Sequence, residues 1–389
     1  MAHALLSPSS ASRWLACTPS ARLEAKFPDK AGEAAAEGTL AHALGELLLK
    51  RHLKLILKRD YDKQLAAIKA DPLWQDEMLE YMDGYKTYVI EQYSKAQAHT
   101  PDAMIFLEEK LDLTEYVPEG FGTGDCIIIT DGVLEIIDYK HGKGVPVYAD
   151  NNKQMMLYAL GAVLKFGILY QVDKVKMTIY QPRIDNTSSF ELTYLELIYW
   201  AKTELLPKGF QAFNGEGAYV PGDHCRFCKA SGQCKALAEF NLKLVENIQD
   251  PDLLSPEETA KVLTQQDMFV KWINGVAEYA FTKALEGVKW PGFKLVEGRS
   301  NRAYTDEDSV AQVLLGKGLT EDKVYQPRKV LGITAMEKEL GKSDFALLLN
   351  DYVIKPPGKP TLVPESDKRS EWNTAANDFA EFIEVEQTN

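Results

Sequence analysis

Apolar residues in the middle of the chain fall into two short runs, Ile127-Ile128-Ile129 and Val133-Leu134-x-Ile136-Ile137, separated by Asp131-Gly132. Each run reads as a strand. Asp-Gly between apolar strands predicts a two-residue hairpin turn of type I′, with positive φ at both central positions. With Thr130 facing Val133, the register sets Ile129 opposite Leu134, Ile127 opposite Ile136 and Asp125 opposite Asp138. Side chains alternate along a strand, so Asp125, Asp138 and Lys140 are expected on one face. Cys126 is expected on the other, as a buried small hydrophobe. Opposed residues of an antiparallel pair have Cβ atoms about 4.5–5.5 Å apart. Two carboxylates at that distance repel unless one is protonated or a cation lies between them. Oxygen donors of this kind suit Mg²⁺ or Mn²⁺. Lys140 would orient or activate a metal-bound water, or stabilise a phosphate oxyanion.

The pattern elsewhere predicts an α/β core with a mixed sheet flanked by helices. Ser7-Pro8 marks a capped helix start. Gly38-Thr39 opens a long helix expected to reach about Ala70, with His42 and Glu46 one turn apart on one face. Lys50, Lys54 and Lys58 continue as a stripe on that helix, either a solvated face or a track for a phosphate backbone. Pro72–Ala96 reads as a helix and Met104–Leu113 as a strand beside the hairpin. His141–Gly144 reads as a mobile basic loop carrying Lys143. Asp150-Asn151-Asn152 caps a helix with Gln154 and Tyr158 one turn apart. Lys174–Tyr180 alternates as a strand. Beyond residue 250, Ser255-Pro256-x-Glu258 is a capping box for a helix expected to reach Leu285 with breaks. Phe293–Tyr304 looks extended and carries Arg299 and Arg302. Short helices are expected at Thr305–Gly316 and Thr334–Leu340, a polyproline-like linker at Lys355–Pro360, and a late helix around Trp372–Ile383. Residues 1–250 are expected to form one domain and 251–389 an accessory domain and tail.

With 389 residues, 45% of them hydrophobic and 26% charged, this is the composition of an ordinary globular protein. No run of eighteen apolar residues occurs, so no membrane span is expected. The first residues lack a basic stretch followed by an apolar one, which leaves the cytoplasm as the expected location. A net charge of −13 argues against a general nucleic-acid coating protein but leaves room for a local basic groove.

Four of the five cysteines form a set: Cys17, then Cys225-x2-Cys228-x5-Cys234 in a Gly- and Asp-containing stretch. Such clustering in a cytosolic chain points to metal rather than disulfides. Four thiolates suit Zn²⁺ or an iron–sulfur cluster, and His224 competes with Cys17 as fourth ligand of a zinc site.

Taken in order, Gly38-Thr39-x-x-His42-x-x-x-Glu46, Gly124-Asp125, Asp138-x-Lys140 and Gln154-x-x-x-Tyr158 resemble the motifs of RecB-type PD-(D/E)xK exonucleases. The cysteines resemble the staple of the iron–sulfur branch, which includes AddB-type helicase–nuclease subunits and CRISPR-associated exonucleases. The likeness covers roughly residues 5–240. The whole chain also resembles an uncharacterised family of phage and prophage proteins with this module. No Walker motif is present, so the resemblance implies a stand-alone DNA exonuclease of phage recombination or DNA processing. It would act on DNA, with a phage recombinase or single-strand-binding protein as a further partner. The resemblance implies a divalent metal held by His42, Asp125, Asp138 and the Tyr139 carbonyl, with Lys140 positioning the attacking water. Gln154 and Tyr158 would contact substrate or support Lys140, and Glu46 would support His42. It implies a [4Fe–4S] cluster on Cys17, Cys225, Cys228 and Cys234. The competing expectations are a non-catalytic DNA- or protein-binding module with a structural zinc, and a structure-specific endonuclease of the same superfamily.

Overall fold

The computed structural model describes residues 4–28, 32–246, 255–296, 306–317, 320–325, 330 and 332–353. Residues 297–304 of the expected extended stretch, the polyproline-like linker and the late helix lie outside them. The chain divides into two units, Met1–Pro291 and Gly292–Asn389.

The first unit is built on a mixed sheet that, among the described residues, has five strands in the order β1 (Met104–Asp112), β2 (Phe121–Ile129), β3 (Gly132–Tyr139), β4 (Val172–Gln181), β5 (Asn186–Thr193). All neighbours are antiparallel except β3 and β4. A parallel pair needs a crossover, which here contains the helix Lys153–Phe166. Helices cover both faces. α1 (Ala11–Ala16), α6 (Lys153–Phe166), α7 (Tyr194–Trp200) and α8 (Leu206–Asn214) lie on one; α3 (Glu33–His52) and α5 (Asp76–His99) on the other. Short α2 (Ser20–Glu24) follows α1, and α4 (Lys58–Lys69) follows α3. Alternation of the hairpin apportions its side chains. Ile127, Ile129, Leu134 and Ile136 enter the α6 core, while Cys126, Ile128, Ile137 and Tyr139 enter the α3/α5 core.

The hairpin has the expected register, with Ile129 opposite Leu134 and Ile127 opposite Ile136. Its turn is not type I′. Gly132 has φ +81° but Asp131 is not among the residues with positive φ, and Gly132 N–H donates to Gln171 O at 2.7 Å. That bond ties the turn to the segment entering β4, which fixes its shape from outside the hairpin. β5 has no counterpart in the sequence reading. Asp185, in the left-handed conformation, turns the chain back after β4.

The helix expected over residues 38–70 is two helices. α3 begins at Glu33 and ends at His52; α4 begins at Lys58. Between them Lys54 adopts φ +58°, which ends helical geometry. The lysine stripe is broken as a result. Lys50 lies in the last turn of α3 paired with Glu46 at 2.5 Å, Lys54 sits in the elbow, and Lys58 starts α4 paired with Asp62 at 2.6 Å.

α9 (Lys235–Glu246) and α10 (Pro256–Leu285) complete the described helices of this unit. α10 runs unbroken for 30 residues, opened by the capping box: Ser255 Oγ accepts from Glu258 N–H at 3.2 Å and Glu258 Oε2 accepts from Ser255 N–H at 2.9 Å. Its Met268 and Trp272 pack with Cys225 and Leu237. A Cβ on Gly232 would meet Gly275 O at 2.5 Å, so glycine is what lets α10 lie on the cysteine loop. These contacts put residues 256–285 in the first unit, beyond the boundary expected at residue 250. In the second unit the described helices are α11 (Glu307–Gly316), α12 (Glu321–Val324), α13 (Ile333–Leu340) and α14 (Lys342–Leu349). Among the described residues no helix is long and apolar enough to cross a membrane.

Candidate metal centre and cysteine cavity

The candidate metal centre forms where β2 and β3 part. The recorded ladder between them ends at Cys126 opposite Ile137. One residue beyond, Asp125 Oδ2 accepts the Tyr139 N–H at 2.8 Å. Asp138 is 2% exposed, and its Oδ2 lies 2.8 Å from Lys140 Nζ. The Lys140 ammonium is thus the partner of this buried oxygen. A buried carboxylate that also faces the charge of a second one, Asp125, suits a cation ligand.

α3 brings His42 to this point. Ala41, Leu44 and Leu48 bury the helix against α5 and the sheet, and Gly45 permits the approach, since a Cβ there would meet Met82 Sδ at 3.0 Å. His42 Nδ1 lies 3.3 Å from Asp125 Oδ2 and 3.8 Å from Glu108 Oε1. His42, Glu108 and Asp125 offer ligand atoms all within 4.8 Å of one another.

Glu108 was missed by the sequence reading. It stands in β1 at φ +48°, a conformation that costs an ordinary residue about 1–3 kcal/mol. Its neighbours Leu107 and Glu109 pair with Cys126 and Gly124, which leaves Glu108 opposite Asp125. Its backbone also switches the strand's faces. Phe106 and Leu111 both reach the α6 core although five residues apart, which strict alternation forbids. The signal in the sequence is that phase break: apolar Ile105-Phe106-Leu107 and then Leu111-x-Leu113, out of step across Glu108.

Lys140 Nζ donates to Gln154 Oε1 at 2.9 Å, and Gln154 Nε2 donates to Tyr158 OH at 3.0 Å. Asn152 caps α6 through Gln154 N–H and Met155 N–H, which sets Gln154 on the first turn facing β3. The structure thus brings His42, Asp125, Asp138, Lys140, Gln154 and Tyr158 together. Glu46 is paired with Lys50 rather than with His42. The segment expected to be a mobile loop is held at its start. His141 is 6% exposed, and Gln181 Nε2 donates to Gly142 O at 2.7 Å and Val145 O at 3.0 Å. Lys143 is exposed between these anchors.

Charges at the centre are strongly coupled. Burial opposes the Lys140 ammonium, but Asp138 and Asp125 outweigh it and keep Lys140 protonated. Burial likewise raises Asp125, yet His42 and Lys140 hold it below the usual carboxylate range. Asp138 stays raised because its burial exceeds the attraction of Lys140. Burial disfavours an imidazolium at His42, but the Asp125 and Glu108 carboxylates raise its pKa well above 6.5. A group that binds its proton more tightly when folded contributes stability below its unfolded pKa and loses it as pH rises through the folded one. The melting temperature in EDTA is therefore expected to fall as pH rises above 6.5, and His42→Gln to flatten that slope. A wild-type slope identical to that of His42→Gln would show that this imidazole is not coupled to the carboxylates.

The second candidate site is a cavity lined by Cys17, Cys225, Cys228, Cys234, Arg13 and His224, among others. His224 Nε2 lies 2.9 Å from Val220 O. Burial raises the thiol pKa of Cys17 and Cys225, and burial with the nearby Glu24 carboxylate pushes Cys228 up to about 12. Thiols so placed stay protonated until a metal displaces the proton. Four thiols on one cavity suit Zn²⁺ or a thiolate-bound iron–sulfur cluster.

A family model described as "Protein of unknown function (DUF2800)" matches residues 3–370. The chain belongs to this family. Family membership spans both units and both candidate sites but carries no activity with it. Among solved structures, the "Crystal structure of SSO0001" is similar at 14% identity over 50% of this chain and 85% of that one, with a TM-score of 0.22. A likeness at that level supports no argument about fold.

Proposed function

We propose that this DUF2800 member is a metal-dependent deoxyribonuclease with a PD-(D/E)xK core, acting on DNA ends. The observation that carries the reading is the convergence of His42, Asp125, Asp138 and Lys140 at the parting of β2 and β3, with Gln154 and Tyr158 aligned behind the lysine. His42, Asp125, Asp138 and the Tyr139 carbonyl would hold Mg²⁺ or Mn²⁺, and Glu108 adds a carboxylate to that set. The bound ion would supply Lewis-acid charge beside the scissile phosphate. Lys140, kept as an ammonium, offers its remaining protons to a phosphate oxygen or to the attacking water; it is not a general base. Gln154 accepts from Lys140 and is itself fixed by Tyr158, so the ammonium is held in one direction. The cysteine cavity would hold a [4Fe–4S] cluster, supported by four cysteines lining one cavity. Lys143, exposed beside the centre, remains a candidate DNA contact.

The test is anaerobically purified protein with Mg²⁺ or Mn²⁺ on end-labelled linear and covalently closed circular DNA. Release of short products from linear DNA only is the expected result. Cutting of closed circles would move the reading to an endonuclease. No cleavage of either with any divalent ion would leave a binding module.

A further inference from the structure

Tyr139 has a backbone role in the reading above, but its side chain is engaged as well. Its ring stands edge-on to the His42 imidazole, with centroids 5.7 Å apart and planes at 82°. Its hydroxyl lies 2.8 Å from His141 Nδ1. His141 Nε2 lies 3.0 Å from Glu37 Oε1, on α3 five residues before His42. The same Glu37 oxygen accepts from Arg183 Nη1 at 2.9 Å, and Arg183 Nη2 donates to Glu77 Oε1 of α5 at 3.2 Å. The side chains of His141 and Arg183 are 5% and 6% exposed. An N–H at Nε2 facing the Glu37 carboxylate leaves Nδ1 as acceptor for the Tyr139 hydroxyl, so a neutral His141 satisfies both neighbours.

We propose that Glu37, His141 and the Tyr139 hydroxyl are positioning residues that fix the roll and axial placement of α3, and thereby the place of His42 in the metal centre. This rests on the metal-dependent reading of that centre. The remaining contacts of α3 are largely apolar: Ala41, Leu44, Leu48 and Leu49 pack against α5 and the sheet. Apolar burial is non-directional and sets how deeply a helix lies more firmly than where along its axis it stops. Directed hydrogen bonds near its N-terminal end supply that register. They act at the end of β3, where Tyr139 N–H also holds Asp125. One residue therefore meets both partners of the site: Asp125 through its backbone and His42 through its ring. Arg183 adds a second tie from Glu37 to α5, so the helix is held against the strand end and its neighbouring helix together.

The alternative is a buried polar network that stabilises the fold and has no bearing on the metal. Two near-isosteric variants separate the two: Tyr139→Phe removes one oxygen and keeps the ring on His42, and Glu37→Gln keeps the shape and removes the charge. Mn²⁺ affinity is read by calorimetry and by the electron paramagnetic resonance of free Mn²⁺, independent of cleavage, alongside the melting temperature in EDTA. Partners that orient a metal-binding histidine typically matter by about 10–100-fold in affinity. Both variants are expected to weaken Mn²⁺ binding by about tenfold or more, out of proportion to any loss of melting temperature. Unchanged Mn²⁺ affinity in both variants, whatever their melting temperatures, would overturn the proposal. A wild-type protein that shows no Mn²⁺ binding sensitive to Asp125→Asn would instead remove the metal reading beneath it, and the two failures are told apart in one titration series.

Discussion

Asp138→Asn is expected to lower Mn²⁺-dependent cleavage by at least about 10³-fold, equivalent to about 4 kcal/mol of lost transition-state stabilisation. The carboxylate is almost fully buried, and burial raises its pKa despite the Lys140 ammonium at 2.8 Å. Asn keeps the shape and removes the charge that a divalent ion would neutralise. Two effects on stability oppose each other. Relief of a buried negative charge favours the variant, while Lys140 loses its nearest carboxylate but keeps Asp125 and Gln154. The melting temperature in EDTA should therefore move little. Asp125→Asn should lose cleavage to the same degree but melt lower at neutral pH. Its carboxyl is held below the usual range by His42 and Lys140, so its ionised form contributes stability above about pH 4. Either variant degrading DNA at the wild-type rate would show that the hairpin is not the reaction centre.

Cys17→Ser is expected to abolish the broad visible absorbance of anaerobically purified protein and to lower its melting temperature. As a ligand of the proposed cluster, Cys17 would join the N-terminal segment to the loop Cys225–Cys234, across roughly 200 residues of chain. Closing a loop of that length restricts the unfolded chain by up to about 5 kcal/mol. Direct contacts limit the loss: Arg13 Nε pairs with Glu24 Oε2 at 2.6 Å, and Glu24 Oε1 accepts from Lys229 N–H at 2.8 Å. Thr18 Oγ1 also donates to Glu216 O at 2.5 Å, and Arg22 Nε donates to Phe213 O. The variant should remain folded at room temperature, colourless, with a lower midpoint. Stoichiometric zinc without iron in wild-type protein made under iron supply would count against the cluster and leave the metal centre of the hairpin untouched.

How much of this was readable beforehand depended on the range of the signal. Asp131-Gly132 fixed the hairpin register because the turn is local, and Asn152 marked the start of α6 because a cap is chemistry within three residues. The elbow after His52 had no such mark. Leu53-Lys54-Leu55-Ile56-Leu57 contains neither Gly nor Pro, and the break becomes visible only in the left-handed Lys54 and the outward Leu55 and Leu57. Glu108 left only the phase break across residues 105–113 in the sequence; its place opposite Asp125 comes from the pairing of β1 with β2. Glu37 meets His141 across 104 residues and Arg183 across 146, so that network had no sequence signal at all. Local chemistry showed the acidic hairpin; the groups that hold it in place come from the tertiary fold.

The clasp between the N-terminal segment and residues 213–229 also bears on how the protein is born. Residues 4–28 leave the ribosome well before their partners Phe213, Glu216 and Lys229, which follow about 190–210 residues later. At about 5–20 residues per second the wait is roughly 10–40 s. Trp14 and Leu15 can meet the α6 core earlier, once Lys153–Phe166 has emerged, but for the whole interval the Cys17 thiol stands open to oxidants. Of the four cysteines on the cavity, Cys17 is thus the one that waits longest for its neighbours during translation, and growth conditions that slow elongation should raise the fraction of molecules oxidised at this thiol.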